Sequence, residues 1–349
     1  MSNLRRAILV GCGGMGNYWL STLKSNPRVQ VAALVDIRLD AARAAAQKNG
    51  LDAAGVFDSL AAAVKGCSAD FVLDVTVPEA HCPTTLSALK AGLPVIGEKP
   101  MAESMASARK MVAASDRARR LYMVSQSRRY EAHHKSCRLA VQSGTVGRLT
   151  TINCDFYIGA HFGGFRDQMP SPLILDMAIH HFDLCRYLTG ADPVAVYAHE
   201  FNPHGSWYKG DVAASVIFEM TGGIVFTYRG SWCAEGFPTA WNGDWRIVGD
   251  RGSILMEKEG MPRAQRVKDP AEPGFSRTLE DVVIPKAELP GGGIAGSLAE
   301  FLDYLDTGAL PQGECHDNIK SLAMVFAAIE SSKKKRRVLV KPLPPSVMV

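Results

Sequence analysis

The stretch "RRAILVGCGGMGNYWLSTLKSN", Arg5–Asn26, decides the fold of the first part of the chain. It begins as a short apolar strand, turns at glycines and continues with helical periodicity. Gly11, Gly13 and Gly16 supply the G-x-G-x-x-G spacing. In that motif the first glycine allows a tight turn, the second lets the backbone approach a pyrophosphate, and the third lets the helix pack on the strand. The free N–H groups at the start of the helix bind phosphate oxygens. The stretch therefore predicts a dinucleotide-binding unit.

The residue that ends the next strand sets the expected cofactor. "VQVAALVD" ends at Asp36, 20 residues after Gly16, where a carboxylate accepts a hydrogen bond from a ribose 2′-hydroxyl. The same carboxylate would repel a 2′-phosphate, so NAD is favoured over NADP, although Arg38 is placed to accommodate that phosphate. The predicted cofactor contacts from the glycine turn and this strand end are Gly11, Gly13, Gly14, Met15, Gly16, Asp36 and Arg38.

Apolar strands and helical segments keep alternating as far as residue 124. This alternation predicts a Rossmann domain over residues 1–124, with a doubly wound parallel sheet that binds ligands at the carboxyl ends of its strands. Four further candidate cofactor contacts lie at or just beyond those predicted ends: Thr76, His81, Glu98 and Lys99.

From about residue 125 the pattern changes to β-rich segments separated by short turns. We predict a C-terminal α+β domain over residues 125–349, built on a large, mostly antiparallel open sheet. In "GIVFTYRGSW" the period of two places Phe226 and Tyr228 on one face, and Thr227 and Arg229 on the other. Few helices remain to cover so wide a sheet, and an exposed aromatic face would favour aggregation unless another subunit covered it.

Composition excludes several classes of protein. The 349 residues suffice for two domains, and a net charge of +4 is too small over this length to indicate a nucleic-acid partner. The eight cysteines are scattered, without a C-x-x-C pair, which is typical of free thiols in a reducing cytoplasm. No apolar run approaches the ~18 residues that a membrane helix needs. We expect a cytoplasmic protein without a membrane partner.

The segment "LILDMAIHHFDLCRYL", Leu173–Leu188, carries two adjacent histidines between two aspartates. On a regular α-helix Asp176, His180 and Asp183 lie within about 60° of one another, whereas His181 lies on an apolar stripe and is predicted to pack. One histidine with two carboxylates is a poor zinc site, so no metal is expected. His133 and His134, in a polar helical segment, are predicted to face solvent.

These motifs, in this order, resemble the Gfo/Idh/MocA oxidoreductases, the family of glucose–fructose oxidoreductase and inositol dehydrogenase. The resemblance rests on G-x-G-x-x-G, "TVPEAH", "GEKP", "DMAIHHFD" and the closing "GECHDNIKSLAMVFAAIESSKKKRRVLV", and it covers nearly the whole chain. It implies that Lys99, Asp176 and His180 are the active-site residues, and that His81 and Glu98 lie near the nicotinamide and its ribose. It also implies a homo-oligomer, dimer or tetramer, that assembles through the C-terminal sheet.

The residues themselves suit the oxidation of a secondary alcohol. That reaction needs a base for the hydroxyl proton and a group that steadies the developing alkoxide. Histidine side chains ordinarily exchange a proton near neutral pH. His180 can therefore accept the proton, Asp176 can orient its imidazole, and Lys99 can steady the oxygen. The Glu98-Lys99-Pro100 step is a candidate for a cis peptide bond. A structural histidine and a surface lysine are the alternatives for His180 and Lys99.

Two polar–aromatic loops, "DFYIGAHFGGFRDQ" and "FNPHGSWYKGD", are the candidate substrate site. Aromatic faces beside hydrogen-bonding groups suit a sugar or cyclitol, although the same residues could stabilise loops or subunit contacts. Alternatively, Arg166 and His161 could bind a carboxylate, sulfonate or phosphate. The candidate substrate contacts are Asp155, Tyr157, His161, Arg166, Trp207 and Tyr208.

Three functions are compatible with these features. The first is an NAD(H)-dependent dehydrogenase that acts on a sugar, cyclitol or related polyol. The second is a glycoside-cleaving enzyme that oxidises its substrate transiently with bound NAD. The third is a non-catalytic NAD-binding regulator, which would have no need of Lys99, Asp176 and His180 together. The sequence favours the dehydrogenase.

Overall fold

The computed structural model describes residues 4–341. They divide into two compact units, each of which is described by itself. The first consists of the chain as far as Ser127 together with Pro290–Ile319, and the second consists of Arg128–Leu289 and the segment from Lys320.

The described residues form nine α-helices and fifteen strands. The helices are α1 (Gly14–Ser25), α2 (Leu39–Asn49), α3 (Leu60–Gly66), α4 (Pro78–Lys90), α5 (Met105–Ala118), α6 (Ala132–Gln142), α7 (Ile179–Thr189), α8 (Gly293–Thr307) and α9 (Cys315–Lys334). The strands are β1 (Arg5–Val10), β2 (Val29–Val35), β3 (Gly55–Phe57), β4 (Phe71–Asp74), β5 (Val95–Gly97), β6 (Tyr122–Val124), β7 (Leu149–Tyr157), β8 (Pro193–Phe201), β9 (Ala213–Met220), β10 (Val225–Ser231), β11 (Asp244–Gly249), β12 (Gly252–Met256), β13 (Arg263–Val267), β14 (Leu279–Val282) and β15 (Val338–Leu339). Within residues 4–341, no helix has the length and apolar character needed to cross a membrane.

The first unit is a six-stranded parallel sheet in the order β3-β2-β1-β4-β5-β6. Its central strands are almost wholly buried, which explains their continuous apolar sequence. The chain order reverses between β1 and β4, the place where open parallel sheets bind ligands. The predicted Rossmann fold is confirmed. Helix α4 begins at Pro78, directly after the end of β4 and the loop that carries Thr76.

Helix α8 belongs to the first unit, which changes the predicted domain boundaries. Phe301 on α8 packs on Phe71 of β4, with ring centroids 5.2 Å apart. Arg5 and Arg28 form ion pairs with Asp306 at 2.7 and 2.9 Å. The predicted boundary after residue 124 lies close to the observed one after Ser127, but residues 290–319 lie in the first unit and not in the predicted second domain. Residues 342–349 of that predicted domain lie outside the described residues.

The second unit is built on a nine-stranded sheet in the order β14-β13-β12-β11-β7-β10-β9-β8-β15. All neighbouring strands are antiparallel except β7 and β10, which run parallel. The predicted mostly antiparallel sheet is therefore confirmed.

The two faces of this sheet differ in cover. Phe226 and Tyr228 of β10 are buried on the face that α7 covers, where Phe182 of α7 lies 5.4 Å from Tyr228. The aromatic face is thus covered within the chain, contrary to the expectation that it needs a second subunit. The opposite face, here called the open face, carries Tyr197 and Ile217, which are 49% and 48% exposed.

A π-helical turn, Leu173–Ala178, leads directly into α7. A π-turn bonds each N–H to the carbonyl five residues earlier, so it holds more residues per turn than an α-helix. The regular α-helical phase assumed for this segment therefore does not hold at Asp176. Such turns are frequent at functional sites.

Candidate functional site

The glycine turn after β1 is shaped by two glycines and left open by two others. Gly11 has φ +100, and a Cβ there would lie 2.5 Å from the carbonyl oxygen of Val75. A Cβ on Gly16 would lie 2.0 Å from the carbonyl oxygen of Gly11, so neither position tolerates a side chain. Gly13 and Gly14, by contrast, face open space at the start of α1. This arrangement fits a pyrophosphate bound against free N–H groups.

Asp36, just after β2, holds the same turn in place. Its Oδ2 accepts a hydrogen bond from the N–H of Cys12 and its Oδ1 accepts one from the N–H of Arg38, both at 2.9 Å. A carboxylate has about four acceptor positions, so capacity remains for a ribose hydroxyl. The Cys12 thiol is buried, and burial raises its pKa to about 12, which makes it unreactive. Met15 and Arg38 are both exposed.

The end of β4 organises Thr76 and His81 through an aspartate that the sequence analysis missed. Asp74 is fully buried. Its Oδ1 accepts a hydrogen bond from the hydroxyl of Thr76 at 2.6 Å, and its Oδ2 lies 3.1 Å from Nδ1 of His81 in the first turns of α4. A carboxylate that ends an otherwise apolar strand was the available signal. The two predicted cofactor residues are thus brought together and fixed by Asp74.

The end of β5 carries Glu98 and Lys99. Glu98 is buried and accepts a hydrogen bond from the indole N–H of Trp19 at 2.7 Å. Burial raises the pKa of its carboxyl, against the opposing effects of Trp19 and of the nearby Lys99 ammonium. The peptide bond between Lys99 and Pro100 is cis, as the sequence suggested. Thr76, His81, Glu98 and Lys99 therefore all lie at the carboxyl ends of neighbouring strands of one sheet.

In the second unit, Asp176 lies in the π-turn and forms an ion pair with Arg166. Nε of Arg166 donates to Oδ2 of Asp176 at 2.6 Å. Arg166 begins the short 3-10 turn Arg166–Gln168, and its guanidinium lies over the rings of Phe162 and Phe165, at 5.1 and 4.7 Å. Arg166 was predicted as a substrate contact, whereas its ion pair with Asp176 was not predicted.

The two adjacent histidines occupy different environments. His180 is 9% exposed, whereas His181 is fully buried beside Phe156, Tyr228 and Trp245, with ring centroids 4.9, 5.4 and 6.3 Å away. Burial, reinforced by the charge of Arg128, holds the pKa of His181 well below its usual value, so the imidazole is neutral. The predicted packing role of His181 is confirmed.

Asp183 serves the fold of the second unit. Its two oxygens accept hydrogen bonds from Arg129 at 2.6 and 2.7 Å, and the hydroxyl of Ser321 donates to it at 2.7 Å. All three side chains are buried. A buried carboxylate so fully engaged is not available as a ligand beside Asp176 and His180. The structure therefore argues against the metal triad that the α-helical spacing allowed.

Within residues 4–341, the side chains that cluster with metal-ligand spacing are Glu314, Cys315 and His316, in the first unit. His316 forms ion pairs with Glu314 and, at 3.0 Å, with Asp116 of α5. These carboxylates, acting against the cost of burial, raise the pKa of His316. The ion pairs of His316 thus join α5 to the start of α9 and account for the cluster.

The predicted substrate loops form a platform in the second unit. The rings of His161 and Trp207 stack with centroids 3.7 Å apart, and the indole N–H of Trp207 donates to the carbonyl of Ala160 at 3.0 Å. Nε2 of His161 lies 3.0 Å from Glu235. Tyr208, in contrast, is only 3% exposed and its hydroxyl donates to the same carbonyl of Ala160. Tyr208 is thus buried, and its role as a substrate contact stays a prediction.

Asp155 and Tyr157 lie on the open face of the sheet, whereas His181 lies on the covered face. Phe156 contacts His181 on the covered face, so its two neighbours on β7 point the opposite way. Asp155 forms a bidentate ion pair with Arg229 at 2.6 and 2.8 Å. The two residues therefore lie on the other face of β7 from Phe156, and their role as substrate contacts stays a prediction.

Two further features of the second unit were not predicted from the sequence: the partly buried Arg128 and the packing of Phe162 on Trp232. Arg128 donates to the carbonyl of Trp241 and lies 3.8 Å from the sulfur of Met177, so it links the π-turn to the loop after β10. Burial lowers its pKa to about 10, so it stays charged. Phe162 packs edge-on against Trp232 at 5.0 Å. The abundance of aromatic residues is the only feature of the sequence that indicates this packing.

The prediction that His133 and His134 face solvent is wrong for His134. His134 is fully buried, and its Nδ1 lies 2.7 Å from the carbonyl oxygen of Arg128. Burial holds its pKa well below the usual value. Helix α6, which carries His134, packs on α7.

Comparisons with known proteins assign both halves of the chain. Residues 5–126 match the model described as the oxidoreductase family with an NAD-binding Rossmann fold, and residues 134–255 match the model of the GFO/IDH/MocA C-terminal domain. The matched segments cover more than half of the chain, and they confirm the resemblance inferred from its motifs.

Named relatives include dehydrogenases of small polyols and sugars. Inositol 2-dehydrogenase of Streptomyces avermitilis is 32% identical over 228 residues, which cover 64% of this chain and 65% of that protein. D-apiose dehydrogenase of Paraburkholderia graminis is 25% identical, with 97% of this chain and 90% of that protein covered. A crystal structure of an oxidoreductase from Agrobacterium radiobacter, in complex with NAD+, L-tartaric acid and magnesium, has a TM-score of 0.84 at 21% identity and covers 97% of this chain and 99% of that one. This last likeness shows the fold.

Proposed function

The chain belongs to the GFO/IDH/MocA family of NAD-binding oxidoreductases, and on that premise we propose that it transfers hydride between NAD and a secondary alcohol or ketone of a sugar, cyclitol or related polyol. The observation that carries the proposal is the glycine turn of the first unit. Gly13 and Gly14 leave the start of α1 open, and Asp36 is fixed beside them by two backbone hydrogen bonds. Such a turn suits a dinucleotide.

Different residues of the turn are proposed to bind different parts of the cofactor. We assign the pyrophosphate to the N–H groups at the start of α1, next to Gly13 and Gly14. Asp36 would accept the ribose hydroxyl, and its negative charge favours NAD over NADP. Arg38 is exposed beside it and is the residue through which NADP would be tolerated.

Lys99, Asp176 and His180 are the proposed reacting residues, on the strength of the family motif that they match. NAD, when bound, supplies the hydride acceptor for the oxidation. We assign to His180 the removal of the hydroxyl proton, because a neutral alcohol is a poor hydride donor. As the C–H bond gives up its electron pair, the C–O bond becomes a carbonyl. Lys99 steadies the negative charge on the oxygen, and Asp176 supports the charged imidazole of His180.

A substrate with hydroxyl groups and an apolar ring face suits the exposed aromatic surface of the second unit. Phe162 and Trp241 are each nearly half exposed, and the stacked pair of His161 and Trp207 lies in the same unit. Sugars and cyclitols bind such surfaces by stacking a ring face and bonding the hydroxyl edge. The names of the inositol and apiose dehydrogenases are consistent with this class of substrate.

We further propose that the protein is a homo-oligomer, dimer or tetramer, that assembles through the open face of its nine-stranded sheet. This face exposes Tyr197, Phe201 and Ile217 beside the ion pair of Asp155 and Arg229. Apolar side chains grouped on one face are typical of subunit contacts. The eight cysteines are all free thiols, which suits the cytoplasmic location that we propose.

The test is a screen of purified protein with NAD or NADP against inositols, aldoses, ketoses and alditols, with absorbance of the reduced nicotinamide as the readout. Net formation of NADH with at least one of them, faster than formation of NADPH, supports the proposal. Turnover of a nitrophenyl glycoside without net NADH would instead support the glycoside-cleaving alternative. NAD binding without turnover of any compound would contradict the proposal and support a regulator.

A further inference from the structure

We propose that Arg166 binds a carboxylate of the substrate, so that the physiological substrate is a sugar acid, such as an aldonate or a uronate, and not a neutral polyol. This inference rests on the proposed function and makes its substrate class narrower. It is carried by the bonding of Arg166, by its surroundings and by its place beside Asp176.

Arg166 uses only one edge of its guanidinium within the protein. Nε donates to Oδ2 of Asp176 at 2.6 Å, whereas neither Nη atom donates to any group among residues 4–341. The side chain is 33% exposed, so a small molecule can reach it. A guanidinium with a free pair of N–H groups presents the forked geometry that a carboxylate accepts.

The surroundings make this edge a better anion site than a surface arginine. The rings of Phe162 and Phe165 lie 5.1 and 4.7 Å from the guanidinium carbon. Apolar rings displace water and so lower the effective dielectric constant around an ion pair, which strengthens it. They also hold the guanidinium by cation–π contacts, so that fewer rotamers are lost when a ligand binds.

The backbone that carries Arg166 is fixed from the other side. The N–H of Lys209 donates to the carbonyl of Asp167, and the N–H of Asp211 donates to the carbonyl of Pro170, both at 2.9 Å. A Cβ on Gly210 would lie 2.1 Å from the carbonyl oxygen of Met169, so the two segments are in direct contact. A rigid support of this kind is what a positioned ligand contact needs.

The position of Arg166 would bring the carboxylate of the substrate close to the proposed reacting residues. Arg166 is bonded to Asp176, one of the three proposed reacting residues. A carboxylate on the free edge of the guanidinium would therefore lie near the carbon that is oxidised. The positive charge of Arg166 lies between this carboxylate and Asp176, which offsets the repulsion between the two anions. This geometry favours acids whose hydroxyl group is close to the carboxylate.

The test compares acids with their neutral counterparts: D-glucuronate with D-glucose, D-galacturonate with D-galactose, and D-gluconate with D-glucitol. For each pair, kcat/KM with NAD is measured for the wild type, for Arg166→Gln and for Arg166→Lys. We expect the wild type to prefer the acid in at least one pair, and Arg166→Gln to lower that preference by about 10- to 100-fold. Arg166→Lys should retain part of it, because the charge remains without the fork.

Arg263→Gln is the matched control, since Arg263 forms an exposed ion pair with Glu257 at 3.0 Å in the same unit. It should leave the acid-to-neutral ratio at the wild-type value. Equal losses on both members of each pair in Arg166→Gln, or a wild type that prefers the neutral member throughout, would overturn the inference while leaving the proposed function intact. If no compound is oxidised, the proposed function fails. Calorimetric titration of the NAD-loaded protein with the same pairs then decides the inference, because equal or absent binding of the acids overturns it.

Discussion

Replacing Gly13 and Gly16 by alanine, one at a time, separates a glycine that serves the cofactor from one that serves the fold. Gly13 has φ −72, which alanine adopts freely, and its Cβ would meet no atom within 4 Å. The Gly13→Ala variant should therefore fold as the wild type does. The new methyl group stands in the open space that we assign to the pyrophosphate, and it keeps at least one backbone N–H from reaching a phosphate oxygen.

The size of each effect follows from the structure. Loss of one hydrogen bond to a charged group is worth about 1.5–3 kcal/mol, or about a 10- to 150-fold weaker Kd for NAD in Gly13→Ala. In Gly16→Ala the Cβ would lie 2.0 Å from the carbonyl oxygen of Gly11, so α1 must move away from the turn. Overpacking of this kind costs about 1–3 kcal/mol. Each kcal/mol lowers Tm by roughly 2–4 °C for domains of this size.

Calorimetric titration with NAD and thermal unfolding without NAD give the two readouts for each variant. Gly13→Ala should lose affinity at an unchanged Tm, and Gly16→Ala should lose Tm. A Gly13→Ala protein that binds NAD as tightly as the wild type would refute the assignment of the pyrophosphate to this turn. Equal losses of Tm in both variants would refute the distinction between the two glycines.

Three further outcomes are expected. Asp36→Ala should weaken NAD binding about tenfold and raise the relative use of NADP, because the hydroxyl loses its acceptor and the repulsion of a phosphate disappears; a preference unchanged in kcat/KM would show that Asp36 does not select the cofactor. Burial raises the pKa of Glu200 from 4.5 to about 7, so its contribution to stability is complete below pH 4.5 and is lost as the pH rises through 7. At about pH 8 the free energy of unfolding of Glu200→Gln, measured in urea, should therefore exceed that of the wild type by about 3 kcal/mol. Below pH 4.5 the two free energies should not differ in this way. His181→Asn should lower stability by about 1–3 kcal/mol through lost packing, and its turnover, measured below its reduced Tm, should fall far less.

The cofactor half of the protein was predictable because its signals are local. The glycine spacing, the strand before it and Asp36 after the next strand lie within 32 residues, Arg5–Asp36, and their geometry is set by neighbours in sequence. Asp74 shows the limit of this approach. A buried aspartate at a strand end is informative only when Thr76 and His81, which it holds, are seen to converge on it.

The substrate half was less predictable because it depends on register and on long-range contacts. The wider π-helical turn over Leu173–Ala178 changes the direction of Asp176, and no periodicity in a short window signals it. The face on which Asp155 lies follows from the pairing of β7 with β10, since a shift by one residue would reverse it. The return of Pro290–Ile319 to the first unit depends on contacts distant in sequence.

The most direct test of the proposed function is the turnover of His180→Asn on the substrate that the screen identifies. Removal of a positioned base should lower kcat by roughly 10²–10⁴, while the Kd for NAD stays close to the wild-type value. Asparagine keeps the polarity and much of the volume at this buried position, so the variant should remain folded. A His180→Asn protein that turns over substrate at the wild-type rate would contradict the assignment of His180 as the proton acceptor.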